Sequence, residues 1–266
     1  MPFTPSHAVV ALPFVRTSLV PAAIAVGAMT PDLALFTRGI PLGYSRTHDL
    51  LWLPLTMVLA LALLLLWRCV LRPSVRELAP DVIARRIPGE WDAGPAAGWR
   101  ETLSPRLLPM LLLVASLAVG VLSHIVWDLF THEGRAGVAI FPILDAEWGA
   151  LPGYKWLQHG SSALGAGILA AWMLMWTVRR PVAPLTRRVL SPVVRVTWWL
   201  SLPLVLVIAW VLGLFAYGPI TVSWTPAHLA YRVLPLAVTV WAMITVVLAV
   251  IVVWRRADSS KRTKTA

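Results

Sequence analysis

Apolar residues run through this chain in long uninterrupted stretches, with polar residues confined to the short segments between them. Five stretches are long enough to cross a bilayer: Leu50 to Leu71, Leu107 to Phe130, Trp156 to Val178, Val196 to Tyr217 and His228 to Trp254. Each is near the ~20 residues that span a hydrocarbon layer about 30 Å thick. Lipid offers no partner to a backbone N–H or C=O, so each stretch must close its hydrogen bonds internally, as a helix. No period-2 alternation is present, which excludes a transmembrane barrel. The pattern predicts an all-α, polytopic transmembrane helix bundle with five spans.

The region before Leu50 departs from this pattern. Ala8 to Val15 is a short apolar run that ends at Arg16, and Leu19 to Met29 is a second, broken by Pro21 and Gly27. Neither reaches spanning length, so together they predict a re-entrant or interfacial helical hairpin. The alternative makes Leu19 to Phe36 a sixth span. Further on, Arg72 to Arg106 mixes six Arg with five acids and several Pro and Gly, which predicts a solvated linker. Ser104-Pro105 then predicts the start of the next helix, with Ser as N-cap and Pro at the first helical position. The predicted organisation is a membrane-embedded domain over 1–178 that includes loop 72–106, two transmembrane helices over 179–254, and a basic tail over 255–266.

Composition supports the bilayer as the main partner. Of 266 residues, 58% are hydrophobic and 13% charged, against about a quarter charged in a soluble domain. The net charge of +11 does not imply nucleic acid, because the basic residues lie in short connections between apolar runs. Many of the 15 Trp stand near the ends of the runs, as in an aromatic belt and not a base-stacking surface. Six Lys or Arg fall in Arg72 to Arg106, five in Arg179 to Arg195 and five after Trp254. Two fall in His132 to Lys155 and none in Gly218 to Ala227. This alternation predicts that the basic segments and the C-terminus are cytoplasmic and that the N-terminal region faces outward. The start shows no basic segment followed by a cleavage site, so no removable signal peptide is expected. The single cysteine, Cys69, excludes an internal disulfide.

Ionisable groups near a membrane core cost ~2.5–3.5 kcal/mol each on insertion scales, so they are functional candidates. The sharpest cluster closes the second run: His124, Asp128 and His132, spaced i, i+4, i+8 on one helical face. Two imidazoles and a carboxylate on one stripe suit a divalent metal such as zinc. His124 and His132 stand about 12 Å apart along the axis, so His124 with Asp128 on one ion is the easier geometry. A hydrogen-bonded His–Asp relay without metal is the competing reading. His7, Asp32, His48 and Asp49 could complete the set, though Asp49 more readily caps the first span, and Thr4 or Ser6 is the expected cap ahead of His7. His159 or Gln158, at the start of the third span, could join them, while His228 reads as interfacial. A serine nucleophile has no support, since neither Ser161 nor Ser162 sits in a G-x-S-x-G elbow. Gly160, Ser161, Ala163, Gly165 and Gly167 are expected to allow close helix packing. No phosphate loop, C-x-x-C pair or dinucleotide fingerprint is present.

At these residues the chain resembles an uncharacterised bacterial multi-pass membrane family, a domain of unknown function. The resemblance rests on the opening Met1 to Ala8, on Gly27-Ala28-Met29-Thr30-Pro31-Asp32, on Ser123 to Gly134 and on Leu157 to Ser162, and covers about Met1 to Val178. A looser similarity links it to membrane-bound predicted metal-dependent hydrolases, whose pattern has an early His, a Pro-Asp turn, a Thr-His-Ser, and a His with Asp four residues on. By that resemblance His7, Asp32, His48, His124 and Asp128 are metal ligands. The wider group is distantly similar to zinc-dependent phospholipase C enzymes, which implies phosphoester or lipid-linked substrates. Asp49 replaces the Ser after His48, and Ala34 stands where a second Asp often follows Asp32, so one ion is better supported than two. On this basis the expected function is a metal-dependent hydrolase at the outer face of a bacterial plasma membrane, with His132, His159 and Glu133 as candidate general bases. The alternative is a non-enzymatic membrane protein: a carrier, a proton relay or an assembly factor.

Overall fold

The computed structural model describes residues 4–37, 43–185 and 188–262, with side chains described up to 258. Met1, Pro2, Phe3, Arg38 and the last residues of the basic tail lie outside the described residues. Among the described residues the chain is helical and forms no strand. Five helices are long and apolar enough to cross a membrane: α2 (Leu50–Leu78), α3 (Leu107–Thr131), α4 (Gly153–Arg179), α5 (Pro192–Tyr217) and α6 (Pro226–Arg262). They coincide with the five apolar runs. Ahead of them, a 3₁₀ helix at Thr4–Phe14 is followed by the short helix α1 (Pro21–Met29) and a 3₁₀ turn at Thr30–Asp32. The apolar helical stretch Pro21–Phe36 falls below the length of the five spans.

The helices group into two compact units. The first comprises Met1–Ala34, Ile40–Leu64 and Thr102–Arg179. Its organising contact is α1 against α3. A Cβ on Gly120 would collide with the Ile24 carbonyl, and one on Gly27 would sit 2.8 Å from the Leu117 carbonyl. Only two glycines facing each other let the backbones meet at that distance. The first turn of α1 gains a further anchor, because the Val20 N–H donates to Ser116 Oγ at 2.9 Å on α3. An orphan donor at a helix start is thereby satisfied inside the protein. Gly165 of α4 serves the 3₁₀ helix similarly: an added Cβ would lie 3.0 Å from the Ser6 carbonyl. Gly160 and Gly167 face open space, so the expected glycine contact on α4 reduces to Gly165.

The second unit comprises Leu35–Gly39, Leu65–Glu101 and Arg180–Ala266. It holds the antiparallel pair α5 and α6, and with them much of the segment expected to be a solvated linker. That expectation fails for a specific reason. The helix of the first span does not stop near Leu71; it passes through a π-helical segment at Trp67–Leu71 and continues to Leu78. This carries Arg76 and Glu77 into a buried network. Glu77 accepts the backbone N–H groups of Val189 and Leu190 and pairs with Arg256 at 2.9 Å. Arg76 donates to Asp92 at 2.7 Å and to the carbonyls of Ala84 and Ile87. Buried charges persist only when paired and hydrogen-bonded, and here they are. The start of α3 also differs from expectation: the helix begins at Leu107, and Ser104 Oγ accepts from the Arg106 N–H in the turn before it.

Candidate metal centre

The chemistry-bearing side chains of the first unit converge at one end of its helices. α3 supplies His124 and Asp128 in its last two turns, both buried. α1 delivers Asp32 through the turn at Thr30–Asp32, also buried. The short helix Tyr44–Thr47 delivers His48 as its C-cap. It is fastened to that turn by Thr47, whose hydroxyl donates to the Pro31 carbonyl at 2.7 Å. The 3₁₀ helix brings His7, whose ring centroid lies 4.2 Å from that of His124.

Two backbone carbonyls fix the tautomers. His124 Nδ1 lies 2.7 Å from the Ala28 carbonyl, and His48 Nδ1 lies 2.9 Å from the Tyr44 carbonyl. A carbonyl only accepts, so each Nδ1 carries a hydrogen, and in the neutral ring each Nε2 keeps its lone pair. Those two Nε2 atoms are 3.2 Å apart. Asp128 Oδ2 is 3.3 Å from the first and 3.4 Å from the second. Asp32 Oδ1 is 3.9 Å and 3.7 Å from the same two nitrogens. In the neutral rings both Nε2 lone pairs and Asp128 Oδ2 face one another at ligand spacing, and Asp32 Oδ1 stands somewhat further from the two nitrogens. His7 Nε2, Asp32 Oδ1 and Asp128 Oδ1 are buried and have no hydrogen-bond partner, where nearly all such atoms in native proteins are satisfied.

The donors are also held from behind. Thr4 Oγ1 donates to Asp32 Oδ2 at 2.6 Å, so Thr4 orients a carboxylate and is not the helix cap expected ahead of His7. Tyr44 Oη donates to Asp128 Oδ2 at 3.2 Å while its ring stacks on His48 at 3.8 Å. Burial first, and then the Asp128 charge, push the Tyr44 phenol above its ordinary range, so it stays a donor. Such outer partners set ring orientation and ligand basicity at metal sites. Tyr44 was not among the sequence candidates; its only signal is the i, i+4 spacing to His48. Gln158 does join the site region, its Nε2 lying 3.0 Å from His132 Nε2.

The remaining candidates divide. His132 stands at the rim, Nδ1 3.6 Å from Asp128 Oδ2, and burial lowers its pKa while Asp128 pulls it the other way. Asp49 accepts from the Leu51 N–H at 2.9 Å and caps the first span. Glu133 is exposed and accepts from Tyr154 Oη at 3.4 Å. His159 is exposed on α4. His228 bonds to Thr225 within its own turn.

Residues whose donor atoms lie mutually within 4.8 Å form two overlapping groups: His7, Asp32 and His124, and His48, His124 and Asp128. For a tetrahedral ion with ligand bonds of ~2.0–2.1 Å, neighbouring ligand atoms stand roughly 3.3 Å apart. The His48, His124 and Asp128 edges match that spacing, and the donor set of imidazole and carboxylate suits zinc or a similar divalent ion. Comparison with protein families gives one match: the model described as "Domain of unknown function (DUF4184)" covers residues 1–256. No curated protein and no solved structure matches the chain.

Proposed function

We propose that the chain, which belongs to the DUF4184 family, is a metal-dependent hydrolase with phosphoester substrates, its site at the outer face of the membrane. The observation that supports this reading most is the pair of Nε2 lone pairs 3.2 Å apart, flanked by two buried carboxylates. Two neutral imidazole acceptors at that distance repel unless a metal ion or a proton stands between them, and a flanking pair of carboxylates favours the doubly charged ion. His48, His124 and Asp128 would hold one ion, with Asp32 and His7 beside it in the second donor group, which shares His124. A divalent ion there supplies Lewis acidity and a water whose pKa lies near 7.

The chain's own residues account for the rest of the chemistry. His124 and His48 are locked in the Nδ1–H tautomer by backbone carbonyls, so their donor atoms are preorganised and cost no rearrangement. Thr4 holds Asp32 Oδ2 and leaves Asp32 Oδ1 on the side of the two imidazoles, while Tyr44 steadies Asp128 Oδ2, the oxygen that faces them. Of the three candidate bases only His132 lies within reach of the cluster. Burial lowers its pKa and so favours the neutral imidazole, the form that can take a proton. A proton relay is less well supported, because from Leu107 to Ser123 the second span offers only two serines as polar side chains. A conduit would need groups across the whole span.

The test is metal content together with hydrolysis. Purified wild-type protein should carry about one divalent ion and cleave bis(p-nitrophenyl) phosphate, and His124→Ala and Asp128→Ala should lose both. Folded wild-type protein that neither contains nor takes up zinc or manganese would end the proposal.

A further inference from the structure

Beside the cluster lies an apolar groove of about 470 Å³ between the 3₁₀ helix, α3 and α4, a size typical of ligand sites. His7 is shared between groove and cluster: it lines the groove and belongs with Asp32 and His124 to one donor group. Val9, Val10, Val126, Leu164 and Ile168 give the rest of the wall a largely apolar surface, interrupted by serines. Val126, Leu164 and Ile168 are exposed on membrane-spanning helices, so the groove opens toward lipid and not toward water. Its hydroxyls are already committed. Ser123 donates to the Gly120 carbonyl at 2.7 Å and Ser162 to the Gln158 carbonyl at 2.7 Å. Ser161 accepts from Trp127 Nε1 at 3.2 Å. A polar occupant would find few partners there; a hydrocarbon chain needs none.

We propose that the groove seats one acyl chain of a membrane phospholipid and so presents its headgroup phosphoester to the His7, Asp32, His48, His124 and Asp128 cluster. The substrate class is then a long-chain lipid phosphoester, a conclusion that rests on the hydrolase reading above. A chain moving from bilayer to groove exchanges one apolar surrounding for another, and gains little affinity. What the groove contributes is orientation, holding the scissile group near the donors. The effect therefore belongs in rates and in the position of bound lipid.

Two measurements separate the groove from the hydrolase. In vesicles doped with a phosphatidylethanolamine carrying a diazirine in its acyl chain, photolabelling should concentrate on Val9, Val126, Leu164 and Ile168. It should exceed severalfold that of Leu204 and Val207, which are exposed on α5, and it should persist in His124→Ala. Equal labelling at the two sets overturns the groove proposal. In the second arm, Ile168→Trp narrows the groove and should lower the ratio of phospholipid to bis(p-nitrophenyl) phosphate cleavage about tenfold. An unchanged ratio overturns the groove's role in catalysis. Enriched labelling in a wild type that cleaves neither substrate overturns the hydrolase reading and leaves the lipid groove standing.

Discussion

His48 and His124 owe their chemistry to atoms that carry none of their own. Each imidazole is turned by a backbone carbonyl, and each of the two carboxylates has one oxygen restrained by a hydroxyl. Tyr44 is the most informative of these supports, because it acts twice, by stacking on His48 and by donating to Asp128. Tyr44→Phe keeps the stack and removes only the O–H. Loss of an outer partner typically costs 10–100-fold in metal affinity, so about a tenfold fall is expected, read by competition with a chromogenic chelator and with thermal unfolding otherwise unchanged. An unaltered affinity would mean that the phenol merely fills space. The sequence shows half of this arrangement. His124 and Asp128 declare themselves by helical spacing on an apolar helix. His7, Asp32 and His48 are distant in the chain; predicted topology put them at the same membrane face as candidates, and only resemblance to a known pattern named them as ligands. Tyr44 and Thr4 were not legible as supports, since a phenol or a hydroxyl says nothing about its partner until the fold supplies one.

At the scale of elements, the five spans were legible because a bilayer imposes a length and a polarity that few other environments select. The short helices were less so, because their positions come from contacts and not from composition. α1 carries no charge and little amphipathic pattern, yet it fixes Asp32 and the Ala28 carbonyl through a glycine-on-glycine crossing with α3. Gly120→Ala should therefore do more than strain one contact. The new Cβ meets the Ile24 backbone, which cannot rotate away, at a cost of about 1–3 kcal/mol as in other overpacked sites. It should also push α1 outward and take Asp32 from the cluster, so that metal content falls together with thermal stability. Gly167→Ala, whose Cβ would meet nothing within 4 Å, should change neither. If Gly120→Ala lost stability but kept its metal, the crossing would not be what places Asp32. The misjudged linker has the same origin. Arg76 and Glu77 look like solvated charges until the helix of the first span is seen to run on to Leu78 and bury them among Arg256, Asp92 and the Val189 amide.

For the molecule as a whole, the face at which the site opens is expected to follow from charge and not from packing. The cluster lies beside the start of α2 and the end of α3, next to the connection His132 to Lys155, which holds two basic residues. The stretch Arg72 to Arg106, which takes in the last turns of α2 and the connection after it, holds six. Basic residues are retained on the cytoplasmic side, where each gains ~1 kcal/mol near anionic headgroups. The difference of four basic residues predicts one orientation, with the His and Asp cluster outward and the C-terminus inside. The single cysteine makes this directly measurable. In a Cys69→Ala background, Glu147→Cys and Glu90→Cys place a thiol at an exposed residue in each connection. A membrane-impermeant maleimide applied to intact cells should label Glu147→Cys at once and Glu90→Cys only after permeabilisation. The reverse result would turn the site toward the cytoplasm. The groove would then draw its lipid from the inner leaflet, and the outer-face assignment would fall while the coordination geometry stood.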